Sequence, residues 1–86
     1  MLYNACEVYD MSKLKDLRIK RNLSQKELAN ISGVSIRHVQ HYEQGYRSID
    51  GAGLEKLVAF AIALNCNISE IIEDPVLVAK CEELGI

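Results

Sequence analysis

Apolar residues recur along this chain at helical spacing, and residues that start or stop helices interrupt them at short intervals. Leu14 and Leu17 put an apolar stripe on a first helix, with Ser12 as its N-cap and Ile19 off the stripe. Ser24 followed by Glu27 is a capping box: the hydroxyl accepts from the amide of Glu27, and the carboxylate reaches back to the amide of Ser24. A second helix therefore starts there, with Leu28, Ala29 and Ile31 as its apolar side and Gly33 as a left-handed stop. Ser35 caps a third helix, in which Val39 and Tyr42 face inward, Ile36 stands at the edge, and Arg37, His38, Gln40 and His41 turn outward. Asp50 is read as the N-cap of a fourth helix that buries Leu54, Leu57, Val58, Ala61 and Leu64, although Gly51 and Gly53 weaken its first turn. Asn65 ends it, because Asn tolerates the left-handed conformation next best after Gly. Asn67 and Glu70 form a second capping box ahead of Ile71 and Ile72.

The pattern predicts helices over 12–21, 24–31, 35–44, 51–64 and 68–73, with no strand pattern in competition. Asp74-Pro75 ends the fifth and can open a sixth, since Pro is favoured at the first helical position and Asp at the cap before it. Leu77, Cys81 and Leu84 would line one face of that sixth helix. At this length it needs a surface to pack on, either the domain itself or a second subunit, and the second subunit is preferred. At the other end, Leu2, Cys6 and Tyr9 fit one helical face, but an extended arm fits residues 1–10 as well, and Glu7 and Asp10 speak against an arm that grasps a polyanion.

Two capped helices around a tight turn, the second short and carrying long polar side chains, suit the reading of base edges in a DNA major groove. The segment resembles the phage-repressor/Cro-like (XRE-type) helix-turn-helix family. The matching positions are Leu17, Arg18, Arg21, Leu23 to Gln25, Glu27 to Ala29, Ser32 to Ser35, Val39, Tyr42, Glu43, Gly45 and Arg47. They continue through Leu54, Leu57, Ala61, Ala63, Leu64, Ile68 and Ile71, so the resemblance covers about residues 12–73. It implies an all-α, five-helix, lambda-repressor-like domain over 12–73, with 1–11 as an N-terminal extension and 74–86 as a tail carrying the short sixth helix.

The resemblance also assigns roles. Ile36, Arg37 and His41 are the expected base contacts, Arg37 as a fork on the O6 and N7 of guanine and Ile36 against a thymine methyl. A partly buried place at the helix start is an equal reading of Ile36. Gln25, at the positive end of the second helix, is expected on phosphate, as are Gln44, Tyr46, Arg47 and Ser48 on the other side. Gln40 and His38 stand at the rim, where plain solvation is the alternative. Arg18 and Glu43 take the positions of a structural ion pair between the first helix and the end of the recognition helix.

Charge changes the picture only when it is located. The chain of 86 residues carries a net charge of −2, which is unfavourable for a DNA binder. Between residues 11 and 47, however, eight basic residues stand against three acidic ones, and from residue 48 onward two stand against seven. The split coincides with the motif boundary, although solvated helix faces explain most such charges.

About half the residues are apolar, enough for one small core. Cys6, Cys66 and Cys81 are odd in number and widely spaced, which suits a reduced, cytoplasmic setting. No signal peptide or membrane-spanning run is visible, so no membrane partner is expected. His38 and His41 supply two of the four ligands zinc usually wants, so neither a metal nor a cofactor is expected. No nucleophile–base pair, Gly-rich phosphate loop or strand–helix pattern points to an enzyme. The expected partners are double-stranded DNA and a second copy of the chain, with dimerisation assigned to Leu77, Cys81 and Leu84 and a palindrome as the site. A second reading keeps the fold but makes it an antitoxin-like module that binds a protein, through a patch of Tyr3, Tyr9, Val76 and Val78.

Overall fold

The structure is a computed structural model that describes residues 12–86. Leu2, Tyr3, Cys6, Glu7, Tyr9 and Asp10, on which the readings of the N-terminal extension rest, lie outside the described residues. Among these residues five α-helices follow one another: α1 (Lys13–Lys20), α2 (Gln25–Ser32), α3 (Ile36–Gln44), α4 (Leu54–Leu64) and α5 (Pro75–Leu84). Short 3-10 turns, Ile49–Gly51 and Ile68–Glu70, precede α4 and α5 respectively, and there is no strand among the described residues.

The helix ends are where local chemistry puts them. The Ser12 hydroxyl accepts from the amide of Lys15, the capping boxes at Ser24/Glu27 and Asn67/Glu70 are both formed, and Asp74 accepts from the amide of Val76 ahead of α5. Gly33 (φ 77°) and Asn65 (φ 53°) take the left-handed conformation after α2 and α4. Leu14 and Leu17 of α1, Leu28 of α2, Val39 and Tyr42 of α3 and Leu57, Phe60 and Leu64 of α4 meet in one core with Val34, Ile49, Ile71 and Ile72. Phe60 sits at its centre with the Tyr42 ring edge-on, centroids 6.2 Å apart.

Four expectations need correction. Asp50 does not cap the helix that follows; that helix starts only at Leu54, after Gly53. Gly53 has φ 92° and ψ 152°, a conformation that side chains essentially exclude, and this resets the helical register. Leu57, Phe60 and Leu64 consequently share the inner face, while Leu54 and Val58 are exposed, Leu54 by 69%. Ile31, counted on the apolar side of the second helix, is exposed as well. The expected helix 68–73 is only the turn Ile68–Glu70, whose two following residues, Ile71 and Ile72, enter the core as irregular chain.

The helix opened by Asp74-Pro75 exists as α5, and it packs on its own domain. Val78 and Cys81 lie against the core, Leu77 and Leu84 stay exposed, and the amide of Ser69 donates to the carbonyl of Ile86 (3.1 Å). Asp50 has a different task from the one expected. Its two carboxylate oxygens accept from the amides of Glu73 (2.7 Å) and Asp74 (3.0 Å), which ties the loop before α4 to the start of α5.

Candidate nucleic-acid interface

Helices α2 and α3 and the turn 33–35 form the candidate interface. Ser35 caps α3 by accepting from the amide of His38 (3.2 Å), and Gly45 (φ 81°) closes it. Nine residues are thereby fixed as a short rod, held from inside by Val39, Tyr42 and Glu43. Ile36, Arg37, Gln44, Tyr46, Arg47 and Ser48 are exposed along and beyond it. His38, Gln40 and His41 are half-buried rather than turned fully outward. The His41 ring stands edge-on to Tyr46 with centroids 5.7 Å apart, and His38 Nδ1 lies 3.1 Å from the Ser35 hydroxyl.

Glu43 is the anchor of this edge. It is 2% exposed, and Arg18 from α1 grips it as a fork, Nε to Oε2 at 2.7 Å and Nη2 to Oε1 at 3.1 Å. Arg18 also donates from Nη1 to the carbonyl of Leu23 (2.8 Å), so one guanidinium binds α1, the chain before α2, and the end of α3. Gln25, the first residue of α2, donates its Nε2 to Glu43 Oε1 (3.1 Å) and accepts at Oε1 from Gln40 Nε2 (3.4 Å). Sequence reasoning placed Gln25 at a helix start facing phosphate and missed this bridge. Only the i, i+3 spacing of Gln40 and Glu43 on one side of α3 hints at it.

The basic residues counted along the chain do not all reach outward. Lys13 Nζ donates to the Ser69 carbonyl (3.0 Å), Arg21 Nε to the Leu64 carbonyl at the end of α4 (2.8 Å), and Arg18 belongs to Glu43. The side chains of Lys20, Lys26, Arg37 and Arg47 are exposed and make no hydrogen bond or ion pair with the described residues. The amides of Gln25 and Lys26, at the positive end of α2, likewise have no acceptor among the described residues. His38 reports the local field: partial loss of water, then Lys56, Arg47, His41 and Arg37, hold its imidazole below the usual range. Lys56 reaches this cluster from α4, and no linear spacing could have announced it.

Cys66 is half-buried, and burial, followed by Glu70 and against the opposing effect of Arg21, pushes its thiol up. It behaves as a small apolar group. Among the described residues no three His, Cys, Asp or Glu side chains gather as a metal would need, and no helix is long and apolar enough to cross a membrane.

A family model described as helix-turn-helix matches residues 14–71. Over 63 residues the chain is 38% identical to the cryptic phage CTXphi transcriptional repressor RstR of Vibrio cholerae, a match covering 73% of this chain and 54% of that protein. Over 81 residues it is 37% identical to a protein of Pyrococcus abyssi (strain GE5 / Orsay) named as an HTH-type transcriptional regulatory protein, covering 90% of this chain and 23% of that one. The chain thus spans about half of one relative and about a quarter of the other. No solved structure is a significant match. With the capped α2–turn–α3 unit, its Arg18–Glu43 brace and a family match running from α1 to the second 3-10 turn, this chain belongs to the XRE-type helix-turn-helix family.

Proposed function

We propose that the chain is a sequence-specific DNA-binding transcriptional regulator, a repressor that acts as a dimer on a palindromic operator. The observation that carries this reading is the outer edge of α3: an exposed Arg37 on a capped helix, with Arg47 and Lys56 in the same field at His38, Lys26 lining one hollow with Ile36, and two amides at the start of α2 that have no acceptor among the described residues. In this reading α3 lies in the major groove. Arg37 forks onto guanine, His41 reaches a neighbouring base edge, and Ile36 meets a thymine methyl. Gln25, Gln44, Tyr46, Arg47 and Ser48 hold phosphates on the two sides, and His38 stands at the rim. The relatives' names, a phage repressor among them, support the regulatory role. Two recognition helices about 34 Å apart would read successive major grooves. Leu77 and Leu84, the exposed part of the α5 stripe, are offered to the second copy, with Cys81 turned to the core.

Selection from a random duplex library, with anisotropy across a salt series for wild type and Arg37→Ala, tests this. A palindrome whose preference relaxes at one position per half-site in the variant is the expected result. No enrichment, or a variant with unchanged preference, overturns it.

One observation favours a second reading, a protein-binding module on the same fold. Leu54, Val58 and Ile62 form an exposed apolar row on α4, Ile62 by 76%, and Val76 on α5 is exposed too. Of the patch expected for this reading, Val78 is packed against the core, and Tyr3 and Tyr9 lie outside the described residues. Proteins retained from a lysate in equal amount by wild type and by Ile62→Glu would remove its support.

A further inference from the structure

Resting on the DNA-binding reading, we propose that Gln40 is a base-reading residue whose side-chain carbonyl faces the groove, and that Gln25 is the positioning residue that fixes it in that sense. Glu43, which Arg18 holds in a fork, has only acceptors to offer. Whatever meets Glu43 Oε1 from α2 must be a donor, so the Gln25 amide presents Nε2 there and its Oε1 points away. That oxygen in turn accepts only from a donor, so Gln40 presents its own Nε2 to Gln25. Amide orientation is ordinarily ambiguous, because nitrogen and oxygen have the same shape. In this chain it is dictated link by link from a carboxylate, along Gln40 to Gln25 to Glu43.

The consequence falls on Gln40 Oε1, the one end of the row with no partner among the described residues. Gln40 is half-buried, one turn beyond Ile36 and three residues from Arg37, on the flank of α3 that borders the base-contact residues. A glutamine free to turn over serves a base in either order of donor and acceptor. One held by its nitrogen presents an acceptor first, so it selects an exocyclic amine, adenine N6 or cytosine N4, in the major groove. The ligand class is therefore a base amino group. Arg37, with donors only, reads the complementary keto and N7 pattern beside it.

The test uses the duplex enriched by wild-type protein and compares wild type, Gln40→Ala and Gln25→Ala by competition anisotropy at fixed salt. Gln40→Ala is expected to relax preference at one position per half-site by roughly tenfold. Gln25→Ala, which touches no base, is expected to relax the same position and to weaken binding to all duplexes. At that position, the adenine replaced by purine without its 6-amino group, or the cytosine by pyrimidin-2-one without its 4-amino group, should weaken wild type by the same roughly tenfold and leave Gln40→Ala unaffected. Loss of the amine that costs wild type and Gln40→Ala equally overturns the assignment, as does a Gln40→Ala variant with every preference intact. Preference at that position surviving Gln25→Ala overturns the positioning role. No enriched duplex for wild type overturns the DNA-binding reading and this inference with it, so the two failures are told apart by the first step.

Discussion

Helices α3 and α4 lie one after the other in the chain and are held in opposite ways. Helix α3 is polar around most of its circumference, and one of its three buried residues is a carboxylate whose ligands come from α1 and α2. Helix α4 has only Glu55 and Lys56 as charged residues, and it is seated by Leu57, Phe60 and Leu64 while Leu54, Val58 and Ile62 face water. Apolar burial holds a helix with much force and little direction. A forked ion pair extended by glutamines holds it with direction as well, and direction is what a reading surface needs.

That contrast can be broken in order of expected effect. Phe60→Ala, which empties the centre of the core, should cost about 4 kcal/mol in chemical denaturation, whereas Ile62→Ala, two residues on, should stay within about 0.5 kcal/mol. Arg18→Ala should cost about 3 kcal/mol by the same measurement, because Glu43 would remain buried without its ion partner. A midpoint unchanged from wild type would show that α3 is held by apolar contacts after all. Gly53→Ala comes next, at about 1–2 kcal/mol; an added Cβ would meet nothing within 4 Å, so the cost is backbone conformation alone. Ser35→Ala removes the cap of α3 and should cost about 1 kcal/mol.

The smallest effect is one of pH. His38 in the free protein is held below the usual range by lost water contact and by Lys56, Arg47, His41 and Arg37, so it stays neutral at pH 7 and takes its proton only below its ordinary value of 6.5. The unfolded chain protonates first on acidification, so this residue contributes to stability above that value and the contribution is lost as pH falls below it. Phosphate nearby would reverse the preference, and DNA affinity should rise on the acid side of pH 6.5 in wild type and stay flatter in His38→Gln. Equal pH profiles for the two proteins would remove His38 from the interface.

What could be read from the sequence was whatever is settled within four residues. Ser12, Ser24 with Glu27, Ser35, Asn67 with Glu70 and Asp74 all cap where their spacing says, because a cap and its amide are neighbours. The run from Leu57 to Leu64 has no polar residue to give it a period, so its inner face follows from where Gly53 lets the helix begin, and Phe60 was passed over for Val58. The role of Asp50 depends on amides 23 and 24 residues away. Charge misled in the same manner: a tally cannot show that Lys13, Arg18 and Arg21 are turned to carbonyls and a carboxylate within the domain. Arg37 and Arg47 stood out because their exposure follows from their helix face and from the loop after Gly45.

The clasp of Asp50 on the amides of Glu73 and Asp74 gives the C-terminal helix a mechanical meaning. Residues 44–48 approach from one side, Ile49 drops into the core, and the carboxylate next to it is anchored to the chain entering α5 rather than to the recognition helix. The loop is pinned at three points, the end of α3, Ile49 in the core, and the residues that lead into α5. Its stiffness is therefore set in part by a helix that lies outside the stretch matched by the family.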